Sequence, residues 1–131
     1  MSGYWRGLSG YTRRHFADVM RDTMETYQCI DVHQAQQRLA QGAVMVDIRD
    51  AQSFALGHAN GALHLSNNNL NDFISTTDTS LPVLVMCYHG NSSKSAADYL
   101  HAQGFTTAYS IDGGFDAWRA AFPQQVTSGA E

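Results

Sequence analysis

The chain reads as an α/β protein with a parallel sheet covered by helices on both faces. Three observations lead there. Short apolar runs alternate with helical patterns along most of its length. The strongest runs, 43–48 and 83–86, lack the in-out alternation of a half-exposed strand, as strands buried on both faces require. Asp47 and Cys87 fall at the C-terminal ends of those runs, which is the edge where ligands bind in such sheets.

The elements follow in order. Residues 27–30 fit a short strand, and Asp31 is a suitable N-cap for a helix over 32–41 that Gly42 closes. The run 43–48 is of buried-strand length. Asp50 can cap a short helix over 51–56, ended by Gly57, and 61–65 is a further strand. Leu70, Phe73 and Ile74 share one face of a helix over 67–76, and 77–80 is a loop. Pro82 opens the strand 83–86. A helix then runs to about Gln103 and stops at Gly104. Residues 106–111 form a strand, and Gly113-Gly114 leads into a last helix over 115–122, stopped by Pro123. The tail 124–131 is expected to fray.

A chain of 131 residues with 44% apolar content suits one domain with a real core. The net charge of −4 gives no reason to expect nucleic-acid binding. Charge is unevenly spread: residues 1–23 carry Arg6, Arg13, Arg14 and Arg21 against Asp18 and Asp22, whereas the remainder is acidic. Phe16, Val19, Met20 and Met24 fit one side of a helix over 11–24. Arginine and serine there suit a transit peptide, but the two aspartates do not. The simpler reading makes 1–23 an extension outside the working domain, 24–125 the domain, and 126–131 a flexible tail. Cys29 and Cys87 form no CxxC pair and no disulfide framework. No apolar run is long enough for a membrane span, and no signal-peptide core is present. A reducing, cytoplasmic setting is therefore expected. The six histidines show no metal-binding spacing, so no metal or other cofactor is expected.

The chemistry concentrates at Cys87. A free thiol is mostly protonated at neutral pH, but a helix N-terminus and inward-pointing main-chain N–H groups favour its thiolate. The turn Tyr88, His89, Gly90, Asn91, Ser92 and Ser93 supplies such groups, and the same groups suit an anionic substrate. A cysteine phosphatase needs an arginine six residues after its cysteine to clamp phosphoryl oxygens. Ser93 stands there, and Lys94 cannot fork, so phosphatase chemistry is disfavoured. Sulfur transfer, in which a thiolate takes the outer sulfur of a sulfane donor and becomes a persulfide, needs no arginine at that position.

Three ordered segments are similar to motifs of the rhodanese family. They are Val44-Met45-Val46-Asp47-Ile48-Arg49 with Phe54 and the 57–62 stretch GHANGA, the 83–93 stretch VLVMCYHGNSS, and the 109–118 stretch YSIDGGFDAW. Together they cover about residues 25–125. The resemblance implies a rhodanese-like domain with a central five-stranded parallel sheet flanked by helices. It implies Cys87 as the persulfide-forming nucleophile, with Tyr88, His89, Gly90, Asn91, Ser92 and Ser93 as substrate-binding residues. It further implies a thiosulfate sulfurtransferase that releases sulfite and passes sulfur to cyanide, a thiol or a dithiol, or to a protein acceptor such as thioredoxin. The loop is of the short kind that suits sulfur over phosphate.

Between Tyr88 and Ser93 there is no arginine or lysine, so weak thiosulfate affinity is expected, and a persulfide relay between proteins is the competing function. Cys87 itself argues against a binding module without turnover. Asp47 and Arg49 are expected to form a structural salt bridge more readily than a pocket rim. His58 and His64 are expected to make structural hydrogen bonds. His89 is the candidate for tuning the thiolate. Ser92 and Ser93 are read as helix N-caps or as contacts to substrate oxygens. Cys29 is read as a buried bystander, and Gly113-Gly114 with Trp118 as a turn and a core anchor.

Overall fold

The computed structural model describes residues 27–129; the proposed extension 1–23, its helix over 11–24 and residues 130–131 lie outside them. The strands are β1 (Gln28–Ile30), β2 (Val44–Asp47), β3 (His58–Ala59), β4 (Leu63–His64), β5 (Val83–Met86), β6 (Ala108–Ile111) and β7 (Val126–Thr127). The α-helices are α1 (Val32–Ala40), α2 (Ala51–Leu56), α3 (Leu70–Thr76), α4 (Ser92–Ala102) and α5 (Gly114–Ala121).

Five strands form one sheet in the order β1-β6-β5-β2-β4, and every pair in it is parallel. Successive side chains leave a strand on opposite faces. Met45, Leu84, Met86 and Ile111 accordingly meet Ala35 of α1, Phe54 of α2 and Phe115 and Trp118 of α5 on one face. Val46, Val83, Val85 and Ala108 meet Phe73 of α3 and Ala97 and Leu100 of α4 on the other. With both faces covered, β5 has no exposed residue.

Local sequence explains the element ends. Asp31 caps α1 by accepting from Gln34 N, while the Gln34 side chain accepts from Asp31 N, a reciprocal capping box. Gly42 stands just past the end of α1 at φ 109°, a conformation that glycine adopts without a Cβ penalty. Asp50 caps α2 by accepting from Ser53 N at 3.3 Å.

Three expectations are corrected and one strand is added. Helix α3 starts at Leu70, three residues later than the apolar pattern suggests. Asn69 accepts from Ser66 N and donates to His64 O, so side-chain bonds hold residues 66–69 in a turn. Cys29 is exposed because β1 is an edge strand whose one buried residue is Ile30. His58–Ala59 forms a strand that local pattern did not reveal. The tail does not fray at 124: Val126–Thr127 pairs antiparallel with His58–Ala59, so the ordered fold passes the expected boundary at 125. Gln125 O accepts from both Trp118 Nε1 and Asn60 N, and Val126 packs against the core, which holds this segment down. Among the described residues, no helix is long and apolar enough to cross a membrane.

Candidate active site

Strand β5 ends at Met86, and Cys87 follows at the carboxyl edge of the sheet, almost fully buried. The turn from Tyr88 to Asn91 bends back beneath it. Gly90 takes φ 96°, and a Cβ there would sit 2.8 Å from Gly113 N, so only glycine lets the turn close against the β6–α5 connection. The closed turn aims main-chain donors at the sulfur. Gly90 N–H reaches Cys87 Sγ at 3.1 Å and Ser93 N–H at 3.3 Å. Ser93 Oγ stands 3.2 Å from Sγ and 2.7 Å from Ser110 Oγ. Burial pushes the Cys87 thiol up. Hydrogen bonding from the Ser93 hydroxyl and from the N–H groups of Ser93, Gly90 and His89 outweighs it, so the thiol ionises more readily than an ordinary one.

The helix that follows supplies its first turn to the sulfur rather than to its own caps. Asn91 occupies the N-cap with no side-chain bond to the helix. Ser92 and Ser93 are the first two helical residues, which corrects their reading as N-caps. Ser93 is fully buried with its hydroxyl on Sγ, whereas Ser92 is exposed and lines a neighbouring cavity.

A second connection braces the loop from below. Phe115 N–H donates to Cys87 O at 2.8 Å and Asp116 N–H to Tyr88 O at 3.3 Å. This approach requires Gly114, whose Cβ would lie 2.4 Å from Cys87 O. Gly113-Gly114 is thus a turn, as expected, and also the seat of the cysteine loop. Trp118 is fully buried and anchors α5 in the core.

Side chains tie the loop at its flanks. The Tyr88 hydroxyl hydrogen-bonds the Asp50 carboxylate and lies 2.9 Å from Ser53 Oγ, linking the loop to the start of α2. These bonds, Tyr88 first and Ser53 second, lower the Asp50 carboxyl to about 2. His89 Nδ1 is 2.8 Å from Asp116 Oδ2, and Arg119 bonds the other oxygen of that carboxylate at 3.1 Å. His89 therefore faces Asp116 on α5.

Asp47 and Arg49 form the buried structural pair that the sequence suggested. Arg49 Nη2 donates to Asp47 Oδ2 and to Gly57 O, each at 2.7 Å, and Arg49 N–H donates to Asp47 Oδ1 at 3.0 Å. The guanidinium lies 4.1 Å from the Phe115 ring centre. His58 Nδ1 bonds Phe54 O at 2.8 Å and His64 Nε2 bonds Arg49 O at 2.6 Å, both structural contacts. An open cavity of about 970 Å³ lies beside the loop, between α4 and the connections after β2 and β4; Asp50 and Ser92 line it, Cys87 does not.

A buried thiol acidified by main-chain donors, on a strand-turn-helix at the carboxyl edge of a parallel sheet, places the chain among α/β domains built to hold a reactive cysteine. Residues 31–121 match the Rhodanese-like domain, and the chain belongs to the rhodanese family. It is 55% identical over 108 residues to the thiosulfate sulfurtransferase GlpE of Ectopseudomonas mendocina (strain ymp), an overlap covering 82% of this chain and 99% of that one. Among solved structures it is similar to the rhodanese-like domain of an Anabaena sp. protein, with 24% identity, a TM-score of 0.66 and 80% of each chain covered. It is also similar to the polysulfide-sulfur transferase homodimer of Wolinella succinogenes, with 22% identity, a TM-score of 0.63, and coverage of 81% of this chain and 82% of that one. The two structural likenesses establish the fold.

Sequence reasoning missed Ser110 and Gly114 as parts of the site. Ser110 is a small polar residue, itself fully buried, in a strand whose other residues are Ala108, Tyr109 and Ile111, and that polarity was the available signal. Gly114 carried a signal as one of two successive glycines, but its partner loop is distant in the chain.

Proposed function

We infer that this protein is a single-domain thiosulfate sulfurtransferase working through a persulfide on Cys87. The observation that carries the reading is the set of donors converging on Cys87 Sγ from Gly90 and Ser93. The extended likeness to a thiosulfate sulfurtransferase supports it.

The reaction runs in two halves. The Cys87 thiolate attacks the outer sulfur of thiosulfate. The donor S–S bond breaks, and sulfite leaves with the bonding pair. The persulfide that remains carries its negative charge on the terminal sulfur, within the ring of loop N–H groups from Tyr88 to Ser93. An acceptor then attacks that sulfur and restores the thiolate. Cyanide gives thiocyanate, and a thiolate gives a new persulfide, which a dithiol resolves with release of sulfide. Because the thiolate is stabilised before substrate arrives, no general base is needed.

Thiosulfate is held by main-chain N–H groups, since the loop has no arginine or lysine. Arg49 is the nearby buried cation, and Asp47 and Gly57 O already engage it. Asp50 and Asp116 add negative charge at the loop flanks. This charge pattern favours, as a second reading, a relay that receives sulfur from a protein donor and hands it to a protein acceptor such as thioredoxin.

Sulfite release from thiosulfate with cyanide, measured on the wild type and on Cys87→Ser, tests the first reading. Turnover in the wild type and none in the variant is expected; no release above the variant overturns it. A sulfur adduct on Cys87 after incubation with a cysteine desulfurase, without thiosulfate turnover, establishes the relay instead.

A further inference from the structure

Behind the sulfur lies a buried pair of hydroxyls that the two half-reactions do not use. Ser93 comes from the first turn of α4 and Ser110 from β6, and both are fully buried. Their oxygens are 2.7 Å apart, and Ser93 Oγ is 3.2 Å from Cys87 Sγ, so the three atoms form a chain from strand to sulfur. Among the described residues, Ser93 Oγ is the one hydrogen-bond partner of the Ser110 hydroxyl.

We propose that Ser110 is a positioning residue for sulfur transfer: its hydroxyl donates to Ser93 Oγ and thereby commits the Ser93 hydroxyl to donate to Cys87 Sγ. The reasoning is one of proton counting. Each hydroxyl has one hydrogen to give. A buried O–H without an acceptor is costly, and Ser93 Oγ is the acceptor within reach of Ser110. Once Ser110 has donated, the hydrogen of Ser93 is free to point at the sulfur. The thiol can place its own hydrogen on Ser93 Oγ, whereas Sγ that has shed its proton, as the thiolate or as the inner sulfur of the persulfide, is the strong acceptor that the Ser93 hydrogen meets. Both resting forms of the cycle therefore meet the same donor. Donation into Ser93 Oγ also polarises its O–H and strengthens the bond to sulfur. Removing Ser110 leaves Ser93 free to turn away, and the thiolate loses part of its support. The proposal rests on the sulfurtransferase reading for its purpose, but its test requires no turnover.

The test follows ionisation of Cys87 in the full-length protein in a Cys29→Ser background, so that one thiol is observed. The rate of iodoacetamide alkylation is recorded against pH, with thiolate absorbance in the far ultraviolet as a second readout. Four proteins are compared: Ser110→Ala, Ser93→Ala, the double variant and their parent. In Ser110→Ala the profile is expected to move up by about one pH unit, about ten-fold less thiolate at pH values below both midpoints. In the Ser93→Ala background, Ser110→Ala is expected to cause no further shift, because Ser110 acts through Ser93. An unchanged profile in Ser110→Ala overturns the proposal. So does a shift of equal size in both backgrounds, which marks Ser110 as merely structural. Should Ser110→Ala fail to fold, Ser110→Gly removes the same hydroxyl without adding a thiol; a shift of the same sign supports the proposal and an unmoved profile overturns it.

Discussion

The amide of Phe115 donates to the carbonyl oxygen of Cys87 at 2.8 Å, so the cysteine's own peptide is held by the first turn of a helix that begins 27 residues later. The loop is shaped from two sides, by α4 above the sulfur and by α5 beneath the backbone.

That contact makes Gly114 the position most sensitive to a single methyl group. Its φ is 56°, and an added Cβ would meet Cys87 O at 2.4 Å and Tyr88 O at 2.6 Å. Gly114→Ala is expected to cost about 2 kcal/mol or more in denaturant unfolding and to lower kcat for sulfite release. A variant as stable and active as the wild type would show that the two loops are not rigidly coupled.

Tyr88 gives a prediction in pH. The folded Asp50 carboxyl lies at about 2, below its ordinary value of 3.8, chiefly because Tyr88 donates to it. A depressed carboxyl contributes stability above its unfolded value and loses it as pH falls through the folded one. The tie between loop and α2 therefore persists through mildly acidic conditions and fails near pH 2. In Tyr88→Phe, an NMR titration should find Asp50 raised toward the ordinary value, held down chiefly by Ser53.

Asp116 sets the charge beside the loop. Its carboxylate faces His89 at 2.8 Å and Arg119 at 3.1 Å. Asp116→Asn removes one negative charge from the approach of a doubly negative donor. The KM for thiosulfate should fall about two-fold at low ionic strength, with the difference shrinking as salt is added. Steady-state kinetics at two salt concentrations check this.

The sequence made the sheet, its two covered faces and the cysteine turn legible, because each depends on local pattern. Unbroken apolar runs marked β2 and β5, glycine and capping residues marked the helix ends, and the strand-turn-helix around Cys87 stood out in the local pattern. Contacts made across long stretches of chain were illegible. Ser93 read as a cap because serine at a helix start usually is one; its inward turn follows from Ser110 on another strand. Cys29 read as buried because a short apolar strand usually is, and only the strand order places β1 at an edge. Val126–Thr127 read as fraying because two residues carry no period, and their partner is His58–Ala59.

The ribbon of β3 with β7 has a consequence for synthesis. Val126 packs beside Gly57, and Gly129 N–H donates to Ala55 O, so α2 is pinned at its far end by residues made long after it. Helix α2 is also where Ser53 meets Tyr88, with Asp50 as its cap. On a ribosome, the cysteine turn and both of its flanking helices emerge before this last fastening can close. This brace on α2 therefore waits on residues that follow both flanking helices in the chain.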